Sequence, residues 1–235
     1  MATVVVFGGT GFLGRRLVER LTIESATVRV AVRHPDQARS ILRAAGLHEV
    51  AVFGADVRDR TSVAAALAGA DAAVNAVSTY VEKCGVTFEA VHVQGAETLA
   101  RESGAGGIAS LMHISGIGAD PDSGSPYVRA RGRGELVVQV AFPGATIIRP
   151  GAMFGRGDAL FSALADMARL LPVLPLIGGG GTRLQPVFVG DVAEAVARSL
   201  TDPRTVGRIY ELGGPKVYTL RDLSNTPCVL LANAG

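Results

Sequence analysis

The residues Gly8-Gly9-Thr10-Gly11-Phe12-Leu13-Gly14 follow the apolar run Thr3-Val4-Val5-Val6-Phe7 and precede an amphipathic segment from Arg15 to Leu21. That order reads as strand, glycine turn, helix. Such a junction leaves a helix N-terminus with free backbone N–H groups and the positive end of the helix dipole, which suits the pyrophosphate of a dinucleotide. In this reading Gly8 makes the tight turn, Gly11 admits the pyrophosphate and Gly14 lets the helix pack closely on the strand. Thr10, Phe12 and Leu13 complete the candidate binding turn. With 30 glycines in the chain, the bland alternative is a structural turn, and the position between a β-branched strand and a helix is what points to a ligand.

In an open parallel sheet, ligands bind beyond the carboxyl ends of the strands, so the residues just after each strand carry the next information. After the second run, where an acid commonly bonds the ribose 2′-hydroxyl of NAD, stand Arg33 and His34, and the first acid is Asp36, behind Pro35. A guanidinium fork suits a 2′-phosphate better than a carboxylate does, so NADP(H) is expected over NAD(H), with Asp36 reaching back as the alternative. The third run ends in Asp56-Val57, where the aspartate either accepts from the adenine amino group or only shapes the turn. The fourth ends in Asn75-Ala76-Val77, a small-residue edge over which a ribose fits.

The fifth run ends in His113-Ile114-Ser115, and Tyr127 and Arg131 follow on one face of an expected helix. Together with the glycine turn, Arg149-Pro150-Gly151, Gly155 and Gln185-Pro186-Val187-Phe188-Val189-Gly190-Asp191, these residues resemble the short-chain dehydrogenase/reductase superfamily, in its extended or atypical branch. The resemblance covers residues 3 to 223. Within the superfamily, His113 to Ala119, Tyr127-Val128-Arg129, Gly134-Glu135 and Ile148-Arg149-Pro150 resemble the NADPH-binding accessory subunit nine of respiratory complex I and its bacterial relatives. The resemblance implies that Tyr127 is the acid/base residue, that Ser115 orients the substrate oxygen, and that Pro150 belongs to the cofactor site. It also implies a lysine four residues after the tyrosine, which lowers the phenol's pKa from its ordinary value near ~10. Arg131 occupies that position. It either marks a protein that binds NADPH without turning it over or is drift in an arginine-rich chain, and in a working oxidoreductase or nucleotide-sugar epimerase/dehydratase it stands in for the lysine. Tyr80 and Lys83 do not restore the pattern, being three apart after the wrong strand. His113 is expected to face the core or the cofactor.

The elements that position these residues alternate along the chain. Short apolar runs recur at 27–32, 49–53, 72–77, 108–114 and 145–149 and read as buried parallel strands. Helical patterns over 36–45, 61–67, 87–102 and 127–140 lie between them, which predicts a Rossmann-type doubly wound α/β fold. After Pro150 the pattern loosens into a helix over 160–170, the glycine run 178–181, a strand at 185–189 and a helix over 191–200 capped by Asp191. One NAD(P)-binding domain over 1–223 is expected, with 150–223 contributing a small substrate lobe that reads as truncated, and 224–235 forming an irregular tail.

Hydrophobic residues make up 48% of the 235, ample for a core, and the formal net charge is only +2. No basic run forms a nucleic-acid stripe, so nucleic acid is not an expected partner. Of the 23 basic residues only Lys83 and Lys216 are lysine. Cys84 and Cys228 suit neither a zinc cluster nor a disulfide framework, and reduced thiols are expected. The longest apolar stretch, 170–177, is broken by Pro172 and Pro175 and falls short of the ~20 residues that span a bilayer. It is a candidate contact for a respiratory or quinone-linked partner, or a core-packing loop. With no secretion signal after Met1, the expected location is cytoplasmic, with membrane association only through such a partner.

Overall fold

The computed structural model describes residues 2–24, 26–163, 167 and 177–225. Its centre is a seven-stranded sheet. Six of the strands are β1 (Thr3–Phe7), β2 (Thr27–Val32), β3 (Ala51–Gly54), β4 (Ala72–Asn75), β5 (Ser110–Ile114) and β6 (Thr146–Pro150). The order across the sheet is β3-β2-β1-β4-β5-β6, followed by a strand at Ile209–Leu212, and every pairing is parallel. Because β2 and β4 flank β1, the chain reverses its direction of winding beside the glycine turn, the point where a doubly wound sheet opens a crevice. In register, Phe7 lies between Ala31 and Asn75.

Helices cover both faces. On one side α1 (Phe12–Ile23), α2 (Pro35–Ala44) and a helix over Val189–Ser199 share a core with Val4, Val6, Leu17, Val30 and Val74. On the other, α3 (Arg60–Leu67), α4 (Gly95–Ala105) and α5 (Pro126–Ala141) enclose Val5, Phe7, Leu67, Leu99 and Leu111. The alternation of Val4 and Val6 against Val5 and Phe7 is the period-two geometry of a strand buried on both faces.

Three sequence expectations change. The third run reads as a buried strand, but β3 ends the sheet and is largely exposed, with Phe53 carrying the guanidinium of Arg29 over its ring. The helix expected over 87–102 is two pieces, a π-helix at Glu89–Gln94 running into α4. Close backbone packing accompanies the wider turn: a Cβ on Gly134 of α5 would sit 2.0 Å from the His92 carbonyl oxygen. Asp191 is not a cap, because its helix begins at Val189 with Phe188 at the cap position; Asp191 lies in the first turn, where its charge favours the dipole.

Beyond Pro150 the chain builds two small sheets. One pairs β7 (Met153–Phe154) with β9 (Val187–Phe188); the other pairs β8 (Arg183–Leu184) with β11 (Tyr218–Thr219). Between them α6 (Val189–Ser199) packs on α1, and β10 (Ile209–Leu212) adds the seventh strand to the main sheet beside β6. A short helix, α7 (Leu220–Asn225), follows β11. The segment expected to supply only a small lobe thus also closes the main sheet. Most of the helix expected over 160–170, the apolar stretch 170–177 except its last residue, Cys228 and most of the tail lie outside the described residues. No helix among the described residues is long and apolar enough to cross a membrane.

Candidate functional site

A cleft of about 370 Å³ opens at the carboxyl ends of β1, β2, β3 and β4. Its floor is the glycine turn. Gly8 adopts a left-handed φ of +79°, and a Cβ there would meet the Ala76 carbonyl oxygen at 2.8 Å. A Cβ on Gly14 would lie 2.2 Å from the Gly8 carbonyl oxygen, so α1 reaches the turn only because residue 14 has no side chain. The Gly11 N–H donates to the Gly8 carbonyl at 2.9 Å. The N-cap residue, Gly11, has no side chain with which to cap α1, and no acid occupies the first turn. The early N–H groups of α1 are left for an anion at the floor of the cleft. A dinucleotide pyrophosphate fits this cradle.

Gly8, Thr10 and Gly11 line the cleft, whereas Phe12, Leu13 and Gly14 lie behind it as the first turn of α1. At the β2 end Arg33 and His34 line it. Arg33 makes no hydrogen bond or ion pair among the described residues. Asp36 does not reach back: its fully exposed carboxylate pairs with Arg39 at 2.6 Å, outside the cleft wall. Asp56 and Val57 line the β3 end, and Asp56 is held by a fork from Arg58, with Nε to Oδ1 at 3.0 Å and Nη2 to Oδ2 at 2.6 Å. The hydrogen bonds from Arg58, with Arg33 adding a smaller attraction, keep the Asp56 carboxyl below its ordinary pKa.

At the β4 end Ala76 and Val77 line the cleft, but Asn75 is buried beneath it. Its Oδ1 accepts from the Val77 N–H at 3.2 Å and its amide lies 3.2 Å from His113 Nδ1, so it shapes the turn from below. His113 is fully enclosed, and burial pushes its pKa down to about 3, leaving a neutral ring that accepts the Asn75 amide proton. Pro150 is also buried outside the cleft; its carbonyl accepts from the Ile117 N–H at 3.1 Å and ties β6 to the loop after β5.

Ser115, Tyr127 and Arg131 gather beside the cleft. Arg131 Nη1 donates to the Tyr127 hydroxyl, and its Nη2 reaches the Ile114 carbonyl at 3.4 Å. Ser78, which lines the cleft, lies near enough to the phenol to favour its ionised form slightly, less than Arg131 does. Its ring lies 5.5 Å from Tyr80, 5.5 Å from Phe88 and 5.6 Å from His92. Burial raises the Tyr127 pKa, and Arg131 only partly opposes that, so the phenol is protonated at neutral pH. Ser115 Oγ and Arg131 Nε are both buried without a hydrogen-bond partner among the described residues. Both have hydrogen-bonding capacity left, as does the O–H of the Tyr127 phenol, which accepts from Arg131.

Several residues around the site escape a reading of the sequence. Arg58 stands two positions after Asp56 and forms part of the wall. Ser78 and Thr79 extend the β4 end by two residues, and the strand-end rule covers them if it is carried that far. His92 has no sequence signal, because only the π-helix brings its Nε2 to 3.0 Å from the Thr79 carbonyl.

A doubly wound sheet with an uncapped glycine cradle at its switch point defines a dinucleotide-binding protein of Rossmann type. The chain belongs to the NAD(P)H-binding family, whose model matches residues 8–161. It is 38% identical over 222 residues to NADH dehydrogenase [ubiquinone] 1 alpha subcomplex subunit 9, mitochondrial, of Arabidopsis thaliana, spanning 93% of this chain and 55% of the relative. It is 31% identical over 190 residues to a ceramide reductase of Caulobacter vibrioides, spanning 81% of this chain and 58% of the relative. The chain thus covers little more than half the length of these relatives. The UDP-glucose 4-epimerase of Thermus thermophilus, solved with NAD, shares the fold with a TM-score of 0.75 at 22% identity, over 97% of this chain and 82% of that one. The kinship with the complex I accessory subunit expected from the sequence is borne out.

Proposed function

We propose that this chain binds NADP(H) in preference to NAD(H) and holds it as a structural or regulatory ligand, as a relative of the complex I accessory subunit. The observation that carries the preference is the β2 end, where Arg33 lines the cleft without a hydrogen bond or ion pair among the described residues while Asp36 is turned away onto Arg39. A carboxylate there would repel a 2′-phosphate and accept a 2′-hydroxyl; a lone guanidinium does the reverse. The retained rather than consumed cofactor rests on Arg131. Its planar fork engages the phenol directly, and the phenol stays protonated, able to donate a hydrogen bond but not to act as a base at neutral pH. The kinship with a respiratory subunit supports association with a respiratory or quinone-linked partner, by which a chain without a described spanning helix would reach a membrane. Titration of the purified protein should give at least tenfold tighter binding of NADPH than of NADH. Equal affinities would sink the preference.

A second reading is favoured by one observation, the orphaned Ser115 hydroxyl, next in the chain to the Ile114 carbonyl that Arg131 reaches, which a substrate carbonyl would satisfy. In that case Tyr127 donates a proton to the carbonyl oxygen, Ser115 orients it, and the bound dinucleotide supplies the hydride. A reductase among the relatives agrees with this reading. Cofactor oxidation with a panel of carbonyl, quinone and sugar-nucleotide substrates, abolished in Tyr127→Phe, would establish it over retention. A gain of rate in Arg131→Lys would locate the weakness at the guanidinium.

A further inference from the structure

The cleft's adenosine end carries an acid as well as bases, and the acid is not free. Asp56 and Arg58 both line the wall at the end of β3, and the Arg58 fork commits Nε and Nη2 to the two carboxylate oxygens. The Arg58 backbone N–H adds a bond to Oδ1 at 3.0 Å. The Asp56 charge is therefore matched within its own turn, and Arg58 Nη1 makes no hydrogen bond among the described residues. Arg33 and His34 approach from the neighbouring β2 end, and Arg33 is close enough to act on Asp56 electrostatically. An unmatched Asp56 would spend the Arg33 charge. A matched one leaves Arg33 as net positive charge facing the adenosine.

We propose that Arg58, acting with Arg33, is a specificity-determining residue for the 2′-phosphate: it cancels the Asp56 charge, makes an acidic strand end neutral and leaves the charge of Arg33 unopposed. The inference rests on the NADP(H) reading above and adds to it a second residue on a different strand. The nicotinamide half plays no part, so the probes are 2′,5′-ADP and 5′-AMP, which differ only in the 2′-phosphate. Calorimetric titration of the whole chain should show wild-type selectivity for 2′,5′-ADP that falls at least tenfold in Arg58→Ala, through loss of 2′,5′-ADP affinity with 5′-AMP changed less than threefold. In Asp56→Asn/Arg58→Ala, part of the lost affinity should return, because the carboxylate that Arg58 had matched is gone. A selective wild type whose ratio is unchanged in Arg58→Ala, or a double variant as weak as Arg58→Ala, would overturn this inference and leave the NADP(H) reading standing. A wild-type ratio near one would overturn the NADP(H) reading and this inference with it. Arg58 and Asp56 lie at the surface end of β3, and matching melting curves check that the variants fold.

Discussion

His113 is held neutral within the sheet, with its pKa near 3 against an ordinary value of 6.5, because a charged imidazolium has no water around it there. Between those two values the unfolded chain binds a proton at this residue that the folded chain does not. The difference in bound protons, unfolded minus folded, is positive, so stability rises with pH across the window and is lost as pH falls below about 6.5. One such proton contributes a slope of up to about 1.4 kcal/mol per pH unit. Urea denaturation between pH 7 and 4.5 should therefore show a shallower loss in His113→Gln than in the wild type; parallel curves would refute the assignment. His92 is shifted the same way by burial, so part of the slope remains in that variant. The sequence marks His113 as a core or cofactor-facing residue, and its bond with Asn75 decides for the core.

At the scale of elements, two contacts place helices where only glycine fits. α1 meets the turn through Gly14, and α5 meets the π-helix through Gly134. Gly14→Ala should abolish measurable dinucleotide binding, since the added carbon strikes the Gly8 carbonyl oxygen and must displace α1 from the cradle; retained affinity in a titration would contradict this. Gly134→Ala should cost about 1–3 kcal/mol, the range for overpacking a close contact, read as a shift of the urea midpoint at unchanged slope. The two glycines differ in how readable they are. Gly14 belongs to a spacing with a known mechanical meaning. Gly134 and the π-helix do not, because nothing in residues 87–102 breaks the helical pattern and the wide turn comes with its packing against α5. Asp191 misleads for a related reason: a good capping residue inside the first turn looks like one at its boundary, and the true start is set by where β9 ends.

The molecule as a whole is organised around a cleft to which four strand ends contribute, so an occupied cleft cross-links β1, β2, β3 and β4. A ligand that binds only the folded chain at a hundred times its dissociation constant stabilises it by about 2.7 kcal/mol, which corresponds to a melting shift of roughly 5–10 °C for a domain of this size. NADPH should raise the melting temperature by that amount and NADH by less at the same concentration; identical shifts would argue against the Arg33 reading. The parallel doubly wound sheet and its crevice are legible in the chain, because strand, turn and helix are local patterns and the crevice follows from their order. What each charged residue does there emerges on folding. Asp36 turned outward to Arg39, Asp56 was matched by Arg58, Asn75 sank beneath the cleft, and Tyr127 was joined to Arg131. β10, too weak a pattern to be expected, became the seventh strand because β6 offered it an edge. The cause is the same throughout: a charge or a strand edge takes its role from its partner, and partners distant in the chain meet only after it has folded.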